Sequence, residues 1–359
     1  MVGSARPTEC ATSDFSDSLS LPRSVKEESM PLDEVEIETV GNVRLFVRDF
    51  SPSPEQLMDR PGLNGPTPLR SLLKNVAWTP RPGEKQLETD RRGVHPTVLP
   101  QAVRGCSSRT IVWVHGLGEH GGRYLHLPEF LNEHGWRIIL MDLRGHGRST
   151  GVRTHVRSFD EYAADVAAVW KRFELGAGGA VLGAHSMGGL VALRAVQTGC
   201  LQPEALMLTS PLLGVKVYVS PLKRWLGRWL VKVYPEARFR NGLDPRNMTR
   251  DEGFARERRA DPLIVKTVTA SWFFAMEAAL GEVHRDAHKI TVPVLALQGL
   301  SDRTTDGGVV ARWLASTTTR TKELRALPDH VHELLHEADW RDTLTRIVEW
   351  LESWGAARV

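Results

Sequence analysis

The chain has 359 residues, enough for one large domain or for a domain that carries insertions. Its hydrophobic fraction of 41% fits a packed core, and its net charge of +3 gives no reason to expect nucleic acid as a partner. Three widely spaced cysteines without metal-ligand spacing indicate reduced thiols in a cytoplasmic protein; they are Cys10, Cys106 and Cys200.

The N-terminal segment 1–34 is polar, and we expect it to be a disordered tail. It lacks the apolar run of a signal peptide, and the chain has no apolar stretch of about 18 residues that could span a membrane. Met30 is an alternative start of translation. Residues 35–359 are predicted to form a single domain.

The first ordered element is predicted in VEIETVGNVRLFVRDF, residues 35–50, where apolar residues alternate on both sides of Gly41-Asn42. This pattern is typical of a β-hairpin. Residues 51–108 interrupt it with many prolines and are predicted to be an insertion. Within this insertion, only LRSLLKNVAW is suited to a short helix.

Short apolar runs then alternate with helical stretches. Each run is rich in Val, Ile and Leu, as expected for a strand buried on both faces of a parallel sheet. The runs are TIVWVHG (110–116), RIILMDLRGHG (137–147), AVLGAHS (180–186), ALMLTSP (205–211) and VPVLALQG (292–299). The predicted helices between them are 121–134, 158–174 and 187–199. The alternation predicts an α/β architecture with a mostly parallel sheet flanked by helices.

The alternation stops at about 212–288, which is predicted to hold two or more amphipathic helices. It resumes with the strand at 292–299, a helix at 307–316, a strand at 322–327 and a last helix that ends near 354. The irregular stretch is therefore predicted to be a helical cap between the sixth and seventh core strands. Such a cap would lie over the carboxyl edge of the sheet, where ligands bind in open α/β sheets.

AHSMG, residues 184–188, lies where a predicted strand meets a predicted helix. A small-x-Ser-x-Gly pattern in this place is typical of a nucleophile elbow, in which a strained turn exposes the serine above the sheet. Alanine stands at 184, where glycine is usual. The pattern predicts Ser186 as a nucleophile; the alternative is a buried serine in a glycine-rich turn.

A serine nucleophile needs an acid and a base, which follow it in the order Asp, His on this type of fold. Asp302 lies directly after the strand at 292–299 and is the predicted acid. Asp306 is the alternative, although it is better suited to cap the next helix. After the strand at 322–327 we predict His332 as the base. His330 is an alternative, and His336 is expected one turn into the last helix.

The oxyanion of an acyl-transfer intermediate needs two backbone N–H donors. Met187 supplies one, and Leu117 is the predicted second, in the loop HGLGEHGGRY (115–124). Gly116 and His185 are predicted to contact substrate. His115 is included in this substrate-binding set, although support of the loop through a side-chain hydrogen bond is the better interpretation for it.

Two segments of the predicted cap are rich in aromatic residues. On a helical wheel, RWLGRWLVKVY (224–234) separates an apolar side from a basic one. The apolar side holds Trp225, Leu226, Trp229, Leu230 and Val233, and the basic side holds Arg224, Arg228 and Lys232. The pattern fits a membrane-surface helix or a lid helix whose apolar face packs inward. SWFFAMEAAL (271–280) could line an acyl channel or form cap core.

Several motifs in order resemble one family: HGLGEHGGRY, DLRGHGRSTG, AHSMGG, HELLHE and LDPRNMTRDEGFARERRADPL. They are similar to the monoacylglycerol lipase and lysophospholipase group of α/β-hydrolases, also called serine aminopeptidase S33-like or hydrolase-4 proteins. The resemblance covers about 35–50 and 108–355.

The resemblance implies a Ser-Asp-His hydrolase of glycerol esters or lysophospholipids that uses neither metal nor cofactor. It carries the catalytic roles onto Ser186, Asp302 and His332, and the oxyanion donors onto Leu117 and Met187. The acyl chain, the head group and the oligomeric state stay open. The alternatives are a peptidase, lactonase or acyltransferase on the same fold, or a non-catalytic lipid-binding protein.

Overall fold

A computed structural model describes residues 32–52, 109–177, 179–216 and 221–356. The strands are β1 (Leu32–Thr39), β2 (Val43–Phe50), β3 (Arg109–Val114), β4 (Trp136–Met141), β5 (Val181–His185), β6 (Leu206–Thr209), β7 (Arg238–Arg240), β8 (Thr267–Thr269), β9 (Val294–Gly299) and β10 (Lys322–Leu327). The α-helices are α1 (Leu127–Glu133), α2 (Asp160–Arg172), α3 (Met187–Gln197), α4 (Pro221–Val233), α5 (Glu252–Ala260), α6 (Ala270–Arg285), α7 (Gly307–Ser316) and α8 (Trp340–Ala356).

Eight of these strands form one sheet, in the order β1-β2-β4-β3-β5-β6-β9-β10. Strand β2 runs antiparallel to both of its neighbours, whereas the pairs from β4 to β10 are all parallel. The predicted α/β fold with a mostly parallel sheet is therefore confirmed. The segments between β6 and β9, the sixth and seventh strands of this sheet, include the small antiparallel pair β7-β8.

The predicted hairpin is also confirmed, because β1 and β2 pair in antiparallel register from Leu32↔Phe50 to Thr39↔Val43. Gly41 and Asn42 adopt φ values of 83° and 58° in the turn, a left-handed conformation that glycine and asparagine tolerate best. The predicted end of the disordered tail at residue 34 is wrong, because strand β1 begins at Leu32 and residues 32–34 already pair with β2. The predicted tail before residue 32, most of the proline-rich insertion and the short helix expected within it lie outside the described residues.

Two apolar cores lie on opposite faces of the sheet, and alternate residues of each parallel strand enter one or the other. In β3, Val112 and Val114 belong to the core that also contains residues of α2, α3 and α6. Ile111 and Trp113 belong to the other core, with residues of α1 and α8. This two-sided burial explains why the parallel strands inside the sheet are almost continuously apolar in sequence, whereas the edge strand β10, KELRAL, is not.

Helix α6 lies within the segment predicted as cap, yet it packs into the main core. Trp272, Met276 and Val283 are buried in the same cluster as the residues of α3, and the Trp313 indole N–H donates to the Val283 carbonyl at 3.0 Å. Trp272 and Met276 are thus core residues. Their burial leaves Phe274 to face α4, where it lies against Gly227.

Other parts of the cap, around α5 and the β7-β8 pair, contact loops at the carboxyl edge of the sheet. The Val265 N–H donates to the Gly118 carbonyl at 2.8 Å, and the Glu333 N–H donates to the Met248 carbonyl at 2.7 Å. The cap thus binds the loops that follow β3 and β10. In the part of the chain that is described, no helix is long and apolar enough to cross a bilayer.

Candidate active site

Ser186 occupies a sharp turn between β5 and α3, with φ of 50° and ψ of −115°. A positive φ is a strained conformation for serine. The turn is held by two backbone hydrogen bonds, from Ser186 N–H to the Thr209 carbonyl at 3.0 Å and from Leu212 N–H to the Ser186 carbonyl at 2.9 Å. A Cβ on Gly188 would collide with the Val114 carbonyl oxygen, so the helix can approach β3 only without a side chain there.

The structure brings the three predicted side chains together. His332 Nε2 lies 2.9 Å from Ser186 Oγ, and His332 Nδ1 lies 2.8 Å from Asp302 Oδ2. All three residues are buried. Their positions follow from the topology, because β5, β9 and β10 are parallel and their following loops meet at one edge of the sheet.

Asp302 accepts several hydrogen bonds besides the one from His332. Its Oδ2 accepts from Thr305 Oγ1 at 2.7 Å and from Gln298 Nε2 at 2.9 Å, and its Oδ1 accepts from Thr304 N–H at 2.7 Å. Burial alone would raise the pKa of Asp302, but the hydrogen bonds from His332, Thr305 and Thr304 outweigh it and hold the pKa well below its usual range. The carboxylate is therefore ionised and oriented toward the imidazole.

The alternative acid and bases occupy other positions. Asp306 caps α7, as expected, by accepting from two backbone N–H groups. His330 Nδ1 lies 2.9 Å from the Pro328 carbonyl oxygen, and His336 Nε2 lies 3.0 Å from that of Arg123. The expectation that His336 lies one turn into the last helix is wrong, because it ends a separate 3-10 turn that precedes α8.

The loop after β3 lies beside the serine. Gly116 N–H donates to Glu119 Oε1 at 2.6 Å, which fixes the backbone next to Leu117, a residue of the cleft wall. Gly118 adopts φ of 71°, and a Cβ there would strike the Val265 carbonyl. Met187 is the first residue of α3, so its N–H belongs to the unpaired donors at a helix N-terminus.

His115 does not reach the cleft, so its inclusion in the substrate-binding set is wrong. Its Nδ1–H donates to the Gly116 carbonyl at 2.8 Å, and its Nε2 accepts from Leu143 N–H at 3.0 Å. Both ring nitrogens are thus used within the structure, which agrees with a role in supporting the loop. Burial lowers the pKa of His115 to about 4, which keeps the ring neutral.

Gly116 and His185, the other two predicted contacts, do line the cleft next to Ser186. His185 Nδ1 lies 3.1 Å from Thr209 Oγ1. Burial, with a further contribution from His332, lowers the pKa of His185 to about 4. The residue before the serine is therefore a neutral imidazole in the wall of the cleft.

The cleft beside the serine is narrow, with a free volume of about 10 Å³. It is lined by Gly116, Leu117, Glu119, His185, Ser186, Leu243, Met248, Arg258, His332 and Glu333. Three of these are charged residues whose roles the sequence did not predict: Glu119, Arg258 and Glu333. Glu119 and Glu333 lie within motifs noted in the sequence, but nothing in the spacing shows which cations they bind.

The buried charges form a paired chain. Arg123 donates to Glu119 Oε2 at 2.6 Å and to Glu333 Oε2 at 2.8 Å, and Arg258 donates to Glu333 Oε1 at 2.8 Å. Burial opposes ionisation of both glutamates, but the nearby arginines keep the pKa of each well below its usual range. Two carboxylates and two guanidiniums thus balance one another beside the serine. Among the described residues, no group of three or more His, Cys, Asp or Glu side chains is arranged to hold a metal ion.

Helix α4 turns its tryptophans to the solvent. Trp225, Trp229 and Val233 are 68%, 57% and 59% exposed. Gly227 faces Phe274 of α6 so closely that an added Cβ would crowd its ring, and Arg224 pairs with a glutamate of α6 at 2.9 Å. The interpretation of a lid helix with an inward apolar face is therefore wrong for these three residues, while the side chain of Leu226 lies outside the described part.

A parallel sheet with a serine elbow after β5, an acid after β9 and a histidine after β10 defines the α/β-hydrolase class. The family model described as Hydrolase_4, serine aminopeptidase S33, matches residues 105–339. The chain belongs to this family. It is a carboxylic ester hydrolase of the lipase and esterase type, as its relatives indicate.

Curated relatives match the same part of the chain. Phospholipase YtpA of Bacillus subtilis is 31% identical over 241 residues, which cover 65% of this chain and 90% of that protein. Monoacylglycerol lipase of Mycolicibacterium smegmatis is 26% identical over 287 residues, 77% of this chain and 91% of the relative. The two names concern different lipid esters, so they do not fix one substrate.

Solved structures agree with the fold. The monoacylglycerol lipase of Paleococcus ferrophilus superposes with a TM-score of 0.63 at 29% identity, covering 68% of this chain and 94% of that one. A monoglyceride lipase of Saccharomyces cerevisiae reaches a TM-score of 0.66 at 16% identity, covering 93% of this chain and 99% of that one. At that lower identity, the second likeness shows the fold alone.

Proposed function

We propose that this chain hydrolyses carboxylic esters of lipids through an acyl-enzyme on Ser186, with monoacylglycerols or lysophospholipids as substrates. The observation that carries the proposal is the pair of contacts made by His332, one to Ser186 Oγ at 2.9 Å and one to Asp302 Oδ2 at 2.8 Å. A base within hydrogen-bond reach makes a serine hydroxyl nucleophilic, and a buried carboxylate fixes the tautomer of that base.

In the first step, His332 Nε2 takes the proton of Ser186 as Oγ attacks the ester carbonyl. The negative charge that forms on the carbonyl oxygen is bound by the N–H groups of Leu117 and Met187. Asp302 stabilises the imidazolium without taking its proton. His332 then gives the proton to the leaving alcohol, and the acyl group stays on Ser186.

In the second step, water takes the place of the alcohol. His332 removes a proton from the water, which attacks the acyl carbonyl while the same backbone N–H groups bind the oxyanion. Collapse of this intermediate releases the fatty acid and returns the proton to Ser186. No atom outside the ester, the water and the chain is required.

The choice of lipid esters is supported by the curated relatives, whose names are phospholipase and monoacylglycerol lipase. The size of the cleft also limits how an ester can bind. Sites for drug-sized ligands enclose about 300–1,000 Å³, whereas the free volume of this cleft is about 10 Å³. Binding of an ester therefore requires the cap or the loops beneath it to move, and a long acyl chain requires more movement than a short one.

The decisive experiment combines a fluorophosphonate probe with a panel of substrates. The wild-type chain should be labelled on Ser186 and should hydrolyse monoacylglycerols or lysophospholipids. Ser186→Ala should lose the label and lower kcat by about a millionfold, because the members of a triad act as a unit. Ester hydrolysis at a wild-type rate by Ser186→Ala would refute the assignment.

The panel also separates the rival functions. Because the family description names an aminopeptidase, peptide amides are included beside short esters, lactones and an acceptor alcohol for acyl transfer. Faster cleavage of peptides than of esters would replace the lipase proposal with a peptidase. Lipid binding without any label on Ser186 would favour a non-catalytic lipid-binding protein.

We further propose that α4 contacts a lipid surface, which would bring a cytoplasmic enzyme to its substrate as a peripheral protein. The proposal is supported by the exposed line of Trp225, Trp229 and Val233 and by the exposed basic residues Arg228 and Lys232 on the same helix. Tryptophan favours the boundary between headgroups and acyl chains, and cations favour anionic headgroups.

A further inference from the structure

The paired charges beside the serine connect three separate parts of the chain. Glu119 binds the Gly116 N–H through Oε1 and Arg123 through Oε2. Arg123 continues to Glu333, which binds Arg258 through its other oxygen. The loop that carries Leu117, the loop that carries His332 and helix α5 of the cap are thereby joined by one run of hydrogen-bonded side chains, which we call the ionic chain.

The cap also forms hydrogen bonds with the backbone of the loop that carries His332. Glu333 N–H donates to the Met248 carbonyl at 2.7 Å, and Thr249 Oγ1 donates to the His336 carbonyl at 2.5 Å. These bonds hold the main chain of residues 333–336. Two cap side chains add to these bonds: Arg250 Nε lies 3.3 Å from Glu337 Oε2, and Arg258 binds Glu333, the residue directly after His332.

Arg258 is buried together with its partner. The side chain of Arg258 is 6% exposed and that of Glu333 is 2% exposed. A buried ion pair is sensitive to the loss of one member, because the remaining charge loses its compensation. Loss of Arg258 leaves Glu333 Oε1 without its cation, while Arg123 and His336 lie against Oε2 on the other side of the carboxylate.

We propose that Arg258 is a positioning residue that holds the His332 loop in its reactive place through Glu333, so that cap closure and assembly of the active site are one event. The chemical consequence rests on the proposed ester hydrolysis. Arg258 acts on catalysis without touching the reacting atoms. Its removal should let the imidazole drift from Ser186 and so slow the proposed reaction.

The test compares Arg258→Met with Arg259→Met on a short, water-soluble ester. Arg259 is the matched control, since it lies on the same helix, is exposed and pairs with Glu252 of that helix at 3.4 Å. Arg258→Met should lower kcat on the order of 10- to 100-fold, with KM changed less than about threefold. Arg258→Lys should recover part of the loss, and Arg259→Met should match the wild type.

A double variant tests the route through Glu333. If Arg258 acts through this residue, Glu333→Gln combined with Arg258→Met should lose no more kcat than the more severe single variant. If the fold-losses in kcat of the two single variants multiply in the double variant, Arg258 does not act through Glu333. Arg258→Met that folds and keeps kcat within about twofold of the wild type would overturn the proposal itself.

Hydrogen exchange of the 331–337 backbone separates this inference from the proposed reaction. Arg258→Met should accelerate exchange there, whether or not the chain cleaves esters, and Arg259→Met should not. Unchanged exchange would count against the positioning role. If Arg258→Met does not fold, Arg258→Lys and Arg258→Gln replace it, with kcat expected to fall from wild type to Lys to Gln; equal kcat values would refute the role.

Discussion

The imidazole of His332 lies against the imidazole of His185, with ring centroids 4.9 Å apart. Two histidines this close would repel each other if both were protonated. Burial lowers the pKa of His185 to about 4, so this ring stays neutral near neutral pH. The residue before the serine can therefore shape the cleft without opposing the imidazolium of His332.

The neutral buried histidines predict a loss of stability in acid. Burial lowers the pKa of His115 and His185 to about 4 and that of His146 to about 3. In the unfolded chain these groups bind protons near pH 6.5, so the unfolded state holds more protons between pH 6.5 and 4. The free energy of unfolding should therefore decrease as the pH is lowered through this window, by about 2 kcal/mol for each such histidine at pH 5.

The measurement is the free energy of unfolding in urea at pH 7, 6 and 5. Glutamine does not titrate in this range. His146→Gln should therefore reduce the slope of the unfolding free energy against pH by the amount that corresponds to about one proton. A wild-type stability that stays constant from pH 7 to 5 would contradict the predicted protonation states.

Replacing the proposed acid should impair catalysis but not folding. Asp302→Asn is expected to lower kcat by about 10⁴-fold, because the amide favours the wrong tautomer of His332. Asp306→Asn is the matched control, since asparagine also caps helices well, and it should keep nearly full activity. Equal kcat in the two variants would remove Asp302 from its proposed role.

The contact between Gly188 and β3 predicts that the elbow does not accept a methyl group. Gly188→Ala should push α3 away from the Val114 carbonyl, destabilise the protein by about 1–3 kcal/mol and lower kcat about 100-fold. Gly281→Ala, at an exposed helical site with no atom within 4 Å of the added carbon, should instead stabilise the protein by up to about 1 kcal/mol. Melting temperature and kcat of both variants check the contrast.

The outward tryptophans predict binding to anionic phospholipid vesicles. Trp225→Ala combined with Trp229→Ala should weaken binding about tenfold or more, since each indole buries a large apolar area at the interface. Hydrolysis of a short soluble ester should be unchanged. Val40→Ala, an exposed apolar residue in the hairpin turn, serves as the control and should bind vesicles as the wild type does.

Much of the fold could be predicted because local patterns determine it. The inner parallel strands are apolar on both faces, and the hairpin alternates around Gly41-Asn42, so each of these elements is visible within a short window of sequence. The positions of Ser186, Asp302 and His332 followed from the same reasoning, since parallel strands bring their following loops to one edge. Their catalytic roles stay predictions.

Other features depend on contacts between distant parts of the chain. A helical wheel separates the two faces of α4 but does not tell which one meets α6, so the outward direction of Trp225 and Trp229 could not be deduced. The pairing of Glu333 with Arg258 spans 75 residues and that with Arg123 spans 210. No local spacing indicates such partners, which is why the ionic chain was absent from the prediction.

The positive φ of Ser186 also bears on how this protein would respond to selection for heat resistance. A residue held in such a conformation costs of order 1–3 kcal/mol, and glycine would adopt it without that cost. Laboratory evolution that rewards only survival of heating should therefore favour Ser186→Gly, and with it an inert protein. A screen that rewards turnover after heating would keep the serine and gather its stabilising changes elsewhere in the chain.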